Sequence, residues 1–215
     1  MFRIINLFVP LFFILPLAMA QQAAPGEECK IRRGTLCADM KLTGVDLRGA
    51  DLANSQFSGS DMSEANLRSA NLKEANLARV LLRKANLTQA NLEKADLTSA
   101  NLADATLQQA NLREINVENA VLTGADFTGA NLSGVRFHLS ELKNVRMQNA
   151  ILKQADFSAA TLQGVSMAGA DLEGANFNGA NLEQADLSGA KLEGANFEGA
   201  RIEGCVGCPP VSSGP

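Results

Sequence analysis

Residues 65–77 read Ala-Asn-Leu-Arg-Ser-Ala-Asn-Leu-Lys-Glu-Ala-Asn-Leu, so the triplet Ala-Asn-Leu returns every five residues. Outward from this stretch, the same period continues without a phase slip from Leu42 to Ile202. The Leu position of this triplet, which we call the large position, is apolar 33 times in succession. The position two before it, the small position, is Ala in 23 of those units. Asn or Asp stands between them in 20 units, which gives the unit A-[N/D]-[L/F]-x-x. A run this long indicates one structural unit repeated along the chain.

A period of five fits neither a helix nor a straight strand. Five helical steps rotate the large residue by about 140° each time, which spreads the apolar residues around the whole cylinder. In a strand, an odd period would send successive large residues to opposite faces. The small and large residues, two apart, can both point inward only if the chain turns a corner once in every unit. Asn and Asp favour such corners, and Gly, which takes the last position of the unit 14 times, relieves their backbone strain.

The phenylalanines indicate how many corners make one turn of the solenoid. Five of the six that occupy the large position are separated by multiples of twenty residues: Phe57, Phe137, Phe157, Phe177 and Phe197. Twenty residues make four units, which predicts a coil with four sides. The repeat would then form about eight coils, or a rod of about 40 Å at the spacing of neighbouring strands.

This repeat resembles that of the pentapeptide-repeat protein family, and the resemblance covers residues 40–204. It implies an all-β fold, a right-handed quadrilateral parallel β-helix. It also implies that the large residue and the small residue two before it point inward while the other three point outward. A filled interior of this kind would leave binding to the outer sides and the ends.

The first twenty residues have the order of a cleavable export signal. Arg3 precedes an apolar run that ends at Pro16, and the small-x-small triplet at residues 18–20 precedes Gln21. We expect residues 1–20 to be removed, leaving a protein in the periplasm or a lumen, or secreted, with no membrane span. Residues 21–39 would then form an N-terminal cap and residues 205–215 a C-terminal tail.

Four cysteines lie near the ends of the repeat: Cys29, Cys37, Cys205 and Cys208. In an oxidising compartment they are expected to form disulfides. An eight-coil rod would hold the two pairs too far apart to mix, which predicts the local pairs Cys29–Cys37 and Cys205–Cys208 as staples of the ends. The spacing Cys205-x-x-Cys208 also occurs in redox motifs and in half of a zinc site, so a redox, assembly or metal role stays open.

The composition argues against several classes of function. The formal net charge is −4, and residues 151–215 hold 3 basic and 8 acidic groups, so direct binding to nucleic acid is not expected. The chain has one His and no Trp or Tyr, and it contains no intact catalytic, phosphate-binding or dinucleotide motif. We therefore expect no enzyme activity, no catalytic residues, no cofactor and no metal.

One coil, residues 135–154, has lost the Asn or Asp of all four units. The residues that replace or flank them form a candidate interaction patch: Arg136, His138, Leu139, Glu141, Arg146 and Ile151. Either sequence drift or recognition of a partner explains this coil. Leu81 and Val121, two coils apart on one side, suggest a smaller apolar contact strip.

These observations predict a non-enzymatic exported scaffold that binds an unidentified protein partner through its outer sides or ends. Open strand edges would also allow an end-to-end dimer. One alternative is a thiol-disulfide or assembly role for Cys205 and Cys208. Another, suggested only by the resemblance, is a DNA mimic that modulates topoisomerases, which export disfavours.

Overall fold

The computed structural model describes residues 31–210, and they form one continuous solenoid. Parallel single-residue bridges join residues twenty apart, from the Leu36–Gln56 pair to the Asp186–Val206 pair. No residue in this range belongs to a helix or to a longer strand. The pairing agrees with the twenty-residue coil predicted from the phenylalanine spacing, and five residues to a side give each coil four sides.

Each side of a coil donates three backbone hydrogen bonds to its neighbours, one to the preceding coil and two to the following coil, the second of these from the last residue of the unit. On one side, the Asn91 N–H donates to the Ala70 oxygen at 2.9 Å, and the Leu92 N–H donates to the Asn111 oxygen at 2.7 Å. The same pattern recurs along the rod. The backbone N–H and C=O groups of a side find their hydrogen-bond partners in the neighbouring coils. One bridging residue per side is therefore enough, and no longer strand forms within the described residues.

The corners are tight turns. The Ala70 N–H donates to the Leu67 oxygen at 3.0 Å, and the last residue of the unit, Ser69, has a φ of +57°. A hydrogen bond from i+3 to i with positive φ at i+2 is the signature of a type II turn. The side-chain oxygen of Asn66 also accepts from the N–H of Arg68, at 3.3 Å. This hydrogen bond explains the preference for Asn or Asp at the bridging position, and the positive φ explains the recurrence of Gly at the last position.

The inward positions predicted from the sequence are confirmed by burial. Large residues such as Leu92 and Leu132 and small residues such as Ala90 are completely buried. The rings from Phe137 to Phe197 stack in one column, with centroid distances of 4.9, 4.9 and 4.8 Å. These stacks show that like residues lie directly above one another at the spacing of the coils.

Three buried serines take the small position without leaving a polar group unpaired. The Ser55 hydroxyl donates to the Arg32 oxygen at 3.4 Å. The Ser60 hydroxyl donates to the Cys37 oxygen at 2.7 Å, and the Ser140 hydroxyl donates to the Val117 oxygen at 2.6 Å. Within residues 31–210, every buried side-chain polar atom has a hydrogen-bond partner. The core therefore tolerates Ser in place of Ala at these three positions.

The solenoid extends slightly beyond the repeat recognised in the sequence. Pairing begins at Leu36, inside the segment predicted as a cap, because Cys37 takes a large inward position and is 2% exposed. It continues to Val206, inside the predicted tail. The predicted signal at residues 1–20 and Cys29 lie outside the described residues.

No helix long and apolar enough to cross a membrane occurs within residues 31–210.

Candidate interaction surface

The outer surface consists of four columns of bridging residues separated by corners. In steps of twenty, the columns run through residues 36–196 on the first side, 41–201 on the second, 46–206 on the third and 51–191 on the fourth. The second and fourth sides are opposite each other, as are the first and third. Because the interior is filled by side chains, any binding site must lie on these sides, on the corners or at the ends.

The fourth side carries a ladder of asparagine side chains. Asn71 donates to the side chain of Asp51 at 2.9 Å, Asn91 donates to Asn71 at 3.2 Å, and Asn111 donates to Asn91 at 3.0 Å. These bonds satisfy the side-chain amides between coils. Polar groups that already bond one another offer less to a partner, so this stretch has mainly a structural role.

The candidate patch of residues 135–154 is a belt around the rod rather than one flat patch. All six residues are exposed. Arg136 lies on the first side, Glu141 on the second, and His138 and Leu139 at the corner between them. These four are close together, whereas Arg146 lies on the third side and Ile151 on the fourth. A single flat partner therefore cannot contact all six residues.

Contacts within the protein occupy several of these residues. The Arg136 guanidinium lies 3.6 Å from a Glu118 carboxylate oxygen. Nδ1 of His138 lies 3.0 Å from the Ser158 carbonyl oxygen and 2.9 Å from its hydroxyl. Leu139 has no such contact, is 55% exposed and has a φ of +57°. Of the six residues, it offers the largest exposed apolar surface.

Arg146 belongs to a structural network on the third side. Its guanidinium lies 3.1 Å from a carboxylate oxygen of Asp126, which is one coil away and only 6% exposed. Gln108 donates to the same carboxylate at 2.8 Å, and Thr128 donates to it through both its N–H and its hydroxyl. The missing Asn at position 146 thus has a structural explanation. The twenty-residue spacing of Asp126 and Arg146 was a sequence signal for this pair.

The network sets the ionisation of Asp126. Burial acts to raise the pKa of this carboxyl, but the hydrogen bonds from Thr128, Gln108 and Arg146 outweigh it and hold the pKa at about 2. The carboxylate is therefore ionised across the physiological range. Its hydrogen-bonding capacity is used within the protein.

The surface of the described part of the chain includes a groove and a cleft. A groove of about 640 Å³ follows the corner between the fourth and first sides, from Arg113 at one end, past Lys153 in the middle, to Glu193 at the other end. Lys153 already pairs with Glu173, and with Asp171 at 3.5 Å. A cleft of about 350 Å³ lies at the C-terminal end, lined in part by Phe197, Pro209 and Pro210. No group of residues suited to bind a metal lies within residues 31–210.

Cys205 and Cys208 form a disulfide, with Cα atoms 5.8 Å apart. Both are half-buried and pack against the end of the core. Cys37 is also in a disulfide, but Cys29, its predicted partner, lies outside the described residues. No helix follows Cys208 within residues 31–210, so the helix N-terminus that activates a redox thiol is absent from this part of the chain.

Repeat, coil and core together define the class of protein. The profile of the family described as pentapeptide repeats matches residues 33–68, 41–77, 60–98, 100–138, 140–179 and 170–206. The chain belongs to this family, and its solenoid is the family's right-handed β-helix.

One solved structure is similar in both sequence and fold. It is HetL, a pentapeptide repeat protein involved in heterocyst differentiation regulation from the cyanobacterium Nostoc sp. strain PCC 7120. HetL is 32% identical, with a TM-score of 0.69, over 80% of this chain and 87% of HetL. Trypsin-treated QnrB1, a plasmid-mediated fluoroquinolone resistance protein, is 20% identical with a TM-score of 0.65, over 79% of this chain and 90% of QnrB1, which shows the shared fold alone. No curated protein matches the sequence.

Proposed function

We propose that this protein is an exported, non-enzymatic scaffold that binds protein partners through the outer sides or ends of its solenoid. The observation that carries the proposal is the filled interior. The large and small inward residues of the central coils are 0 to 1% exposed, so no cavity exists there for a substrate or cofactor. What the fold offers instead is a long outer surface of regularly spaced side chains.

Export is the second part of the proposal. It is supported by the signal-like order of residues 1–20 and by the disulfide at Cys205 and Cys208, since disulfides persist in oxidising compartments. We propose that the mature rod has about eight coils and that disulfides close both ends, in the periplasm or a lumen. An end-to-end dimer is compatible with this arrangement.

The experiment is in-cell crosslinking of the exported protein with a C-terminal affinity tag. A scaffold should recover the same partner reproducibly, and a variant lacking residues 2–20 should not recover it because it stays in the cytoplasm. Failure to recover any specific protein from intact cells would contradict the scaffold function.

The two alternative functions can be tested separately. Thiol trapping in cells would show a reduced fraction of Cys205 and Cys208 if the pair exchanged disulfides. A gyrase supercoiling assay with excess purified protein would show inhibition or protection if the rod mimicked DNA. Between residues 41 and 150 the chain holds 12 basic and 12 acidic groups, so most of the rod lacks the dense negative charge that mimicry of DNA needs.

A further inference from the structure

Three outward residues of one coil form a basic and apolar patch on the second side. Arg79 lies at the corner before this side, Leu81 at its bridging position and Arg83 at the corner after it. All three are exposed, and 40% of the Leu81 surface is accessible to solvent. Outward residues alternate along the side, so Arg79, Leu81 and Arg83 face outward at positions i, i+2 and i+4. These three positions span about 13 Å of chain at most.

The two arginines of this patch have no partner within residues 31–210. Neither side chain makes an ion pair or a hydrogen bond there, whereas Lys73 in the same coil lies 3.3 Å from Glu93 and Lys94 lies 3.9 Å from Glu114.

The neighbouring coils place no carboxylate directly above or below either arginine. Within its own column, Arg79 lies between Gly59 and Ser99 of the neighbouring coils, and Arg83 lies between Ser63 and Ala103. Lys84 is different because its column places it between Glu64 and Asp104, so we do not count it in the patch.

The acidic residue beside Leu81 on the second side is Asp61, one coil away. Its carboxylate accepts hydrogen bonds from the Ser63 N–H at 3.0 Å and the Thr43 hydroxyl at 3.1 Å. Hydrogen bonds with Ser63 and Thr43 lower the pKa of Asp61, which keeps it ionised and directed toward the preceding coil. The positive charge of Arg79 and Arg83 is thus left for a ligand.

We propose that this patch binds an extended acidic protein segment in which an apolar side chain is flanked by carboxylates two residues before and two residues after it. An extended segment presents every second side chain on one face at about 6.6 Å, the same alternation that the side of the coil presents. Two arginines can bind two carboxylates in bidentate geometry, and Leu81 supplies the apolar contact between them. The inference rests on the scaffold function proposed above and specifies its partner.

The probe is the peptide Ser-Glu-Thr-Leu-Thr-Glu-Ser, titrated into the oxidised 15N-labelled mature protein at low ionic strength. We expect saturable chemical-shift changes at the amides of residues 79–84 and their neighbours on the second side. The double substitution R79S/R83S should weaken binding by about tenfold or more, and 0.5 M salt should weaken it similarly. A peptide with Gln in place of both Glu residues should not bind.

Two matched controls separate recognition from folding. L81N restores the usual Asn of the repeat, so it should keep the fold and weaken peptide binding several-fold. V121N makes an equivalent change two coils away on the same side and should leave binding unchanged, as should R113S, which removes an exposed cation from another corner.

Three outcomes would overturn the inference. The first is that the peptide causes no saturable chemical-shift changes. The second is that it causes changes of equal size in R79S/R83S and in the parent protein. The third is that the peptide binds only after residues 21–30 are removed. The last result would mean that the chain's own Glu27 and Glu28 occupy the patch. A crosslinked partner that maps to another side, together with no peptide binding, would refute this inference and leave the scaffold function intact.

Discussion

At the scale of the residue, the corners impose a backbone conformation on side chains that do not favour it. Leu139 is the clearest case, since a large apolar residue has a φ of +57° and is 55% exposed. Replacing Leu139 with Gly should raise the free energy of unfolding by about 0.5 to 1 kcal/mol, because Gly adopts this φ without strain. Equilibrium denaturation in urea measures the change. A destabilised variant would show instead that Leu139 makes contacts that outweigh the strain.

The ionisation of Asp126 predicts a pH-dependent stability. Its folded pKa of about 2 lies below the ordinary value of 3.8, so its contribution is fully present above pH 3.8 and is lost as the pH falls through about 2. Asp126→Asn should lower the free energy of unfolding at pH 7 by about 2 kcal/mol.

Urea denaturation from pH 7 down to pH 2 tests this prediction. The difference between Asp126→Asn and the parent should shrink below pH 4, while the control Glu141→Gln, at an exposed position in the coil that contains Arg146, should differ little from the parent throughout. A penalty for Asp126→Asn that does not change with pH would mean that its charge does not contribute.

At the scale of the element, the phenylalanine column adds an interaction that leucine columns lack. Phe157 stacks on Phe137 and on Phe177 at 4.9 Å in both cases. Phe127 is equally buried but lies on the third side, between Leu107 and Met147. Phe157→Leu should therefore cost about 1 to 2 kcal/mol more than Phe127→Leu, since it removes two aromatic pairs as well as volume. Equal melting temperatures for the two variants would argue against a contribution from stacking.

The sequence predicted the coil, its four sides and its inward residues, because each follows from a short period that no other regular structure accommodates. The twenty-residue period also places Arg146 in one column with Asp126, but it does not predict the hydrogen bonds from Gln108 and Thr128 that complete the network, since these depend on side-chain conformation. The loss of Asn or Asp predicts that Arg146 belongs to a recognition patch, whereas the structure places its guanidinium beside Asp126. The six residues of the candidate patch lie within one stretch of the chain, but the fold distributes them around all four sides.

At the scale of the whole molecule, the proposed export predicts the N-terminus of the mature protein. We expect the mature chain to begin at Gln21, since the small-x-small triplet and Pro16 place cleavage after residue 20. Intact mass spectrometry of the protein from the exported fraction gives the N-terminus directly. A chain that retains residues 1–20 would contradict the predicted cleavage and the proposed localisation.

The C-terminal end of the rod is closed by its own chain. Cys205 and Cys208 are half-buried and pack against the end of the core, as do Leu192 and Ile202. Gly207 takes the place of the large residue, where a Cβ would lie 2.7 Å from the Leu187 oxygen. The disulfide and this close approach together turn the chain across the open end instead of continuing the coil.

Because each coil contacts only its neighbours, loss of this closure should loosen the end without unfolding the rod. In a Cys205→Ser/Cys208→Ser variant, amide exchange of residues 187–206 should accelerate about tenfold or more, while exchange around Leu92 stays unchanged. Reduction of the parent protein should reproduce the effect, which controls for the serines. Light scattering would show a concentration-dependent dimer if the freed edge pairs with a second rod. Exchange that is unchanged at the end, or faster everywhere, would refute a local closing role for this disulfide.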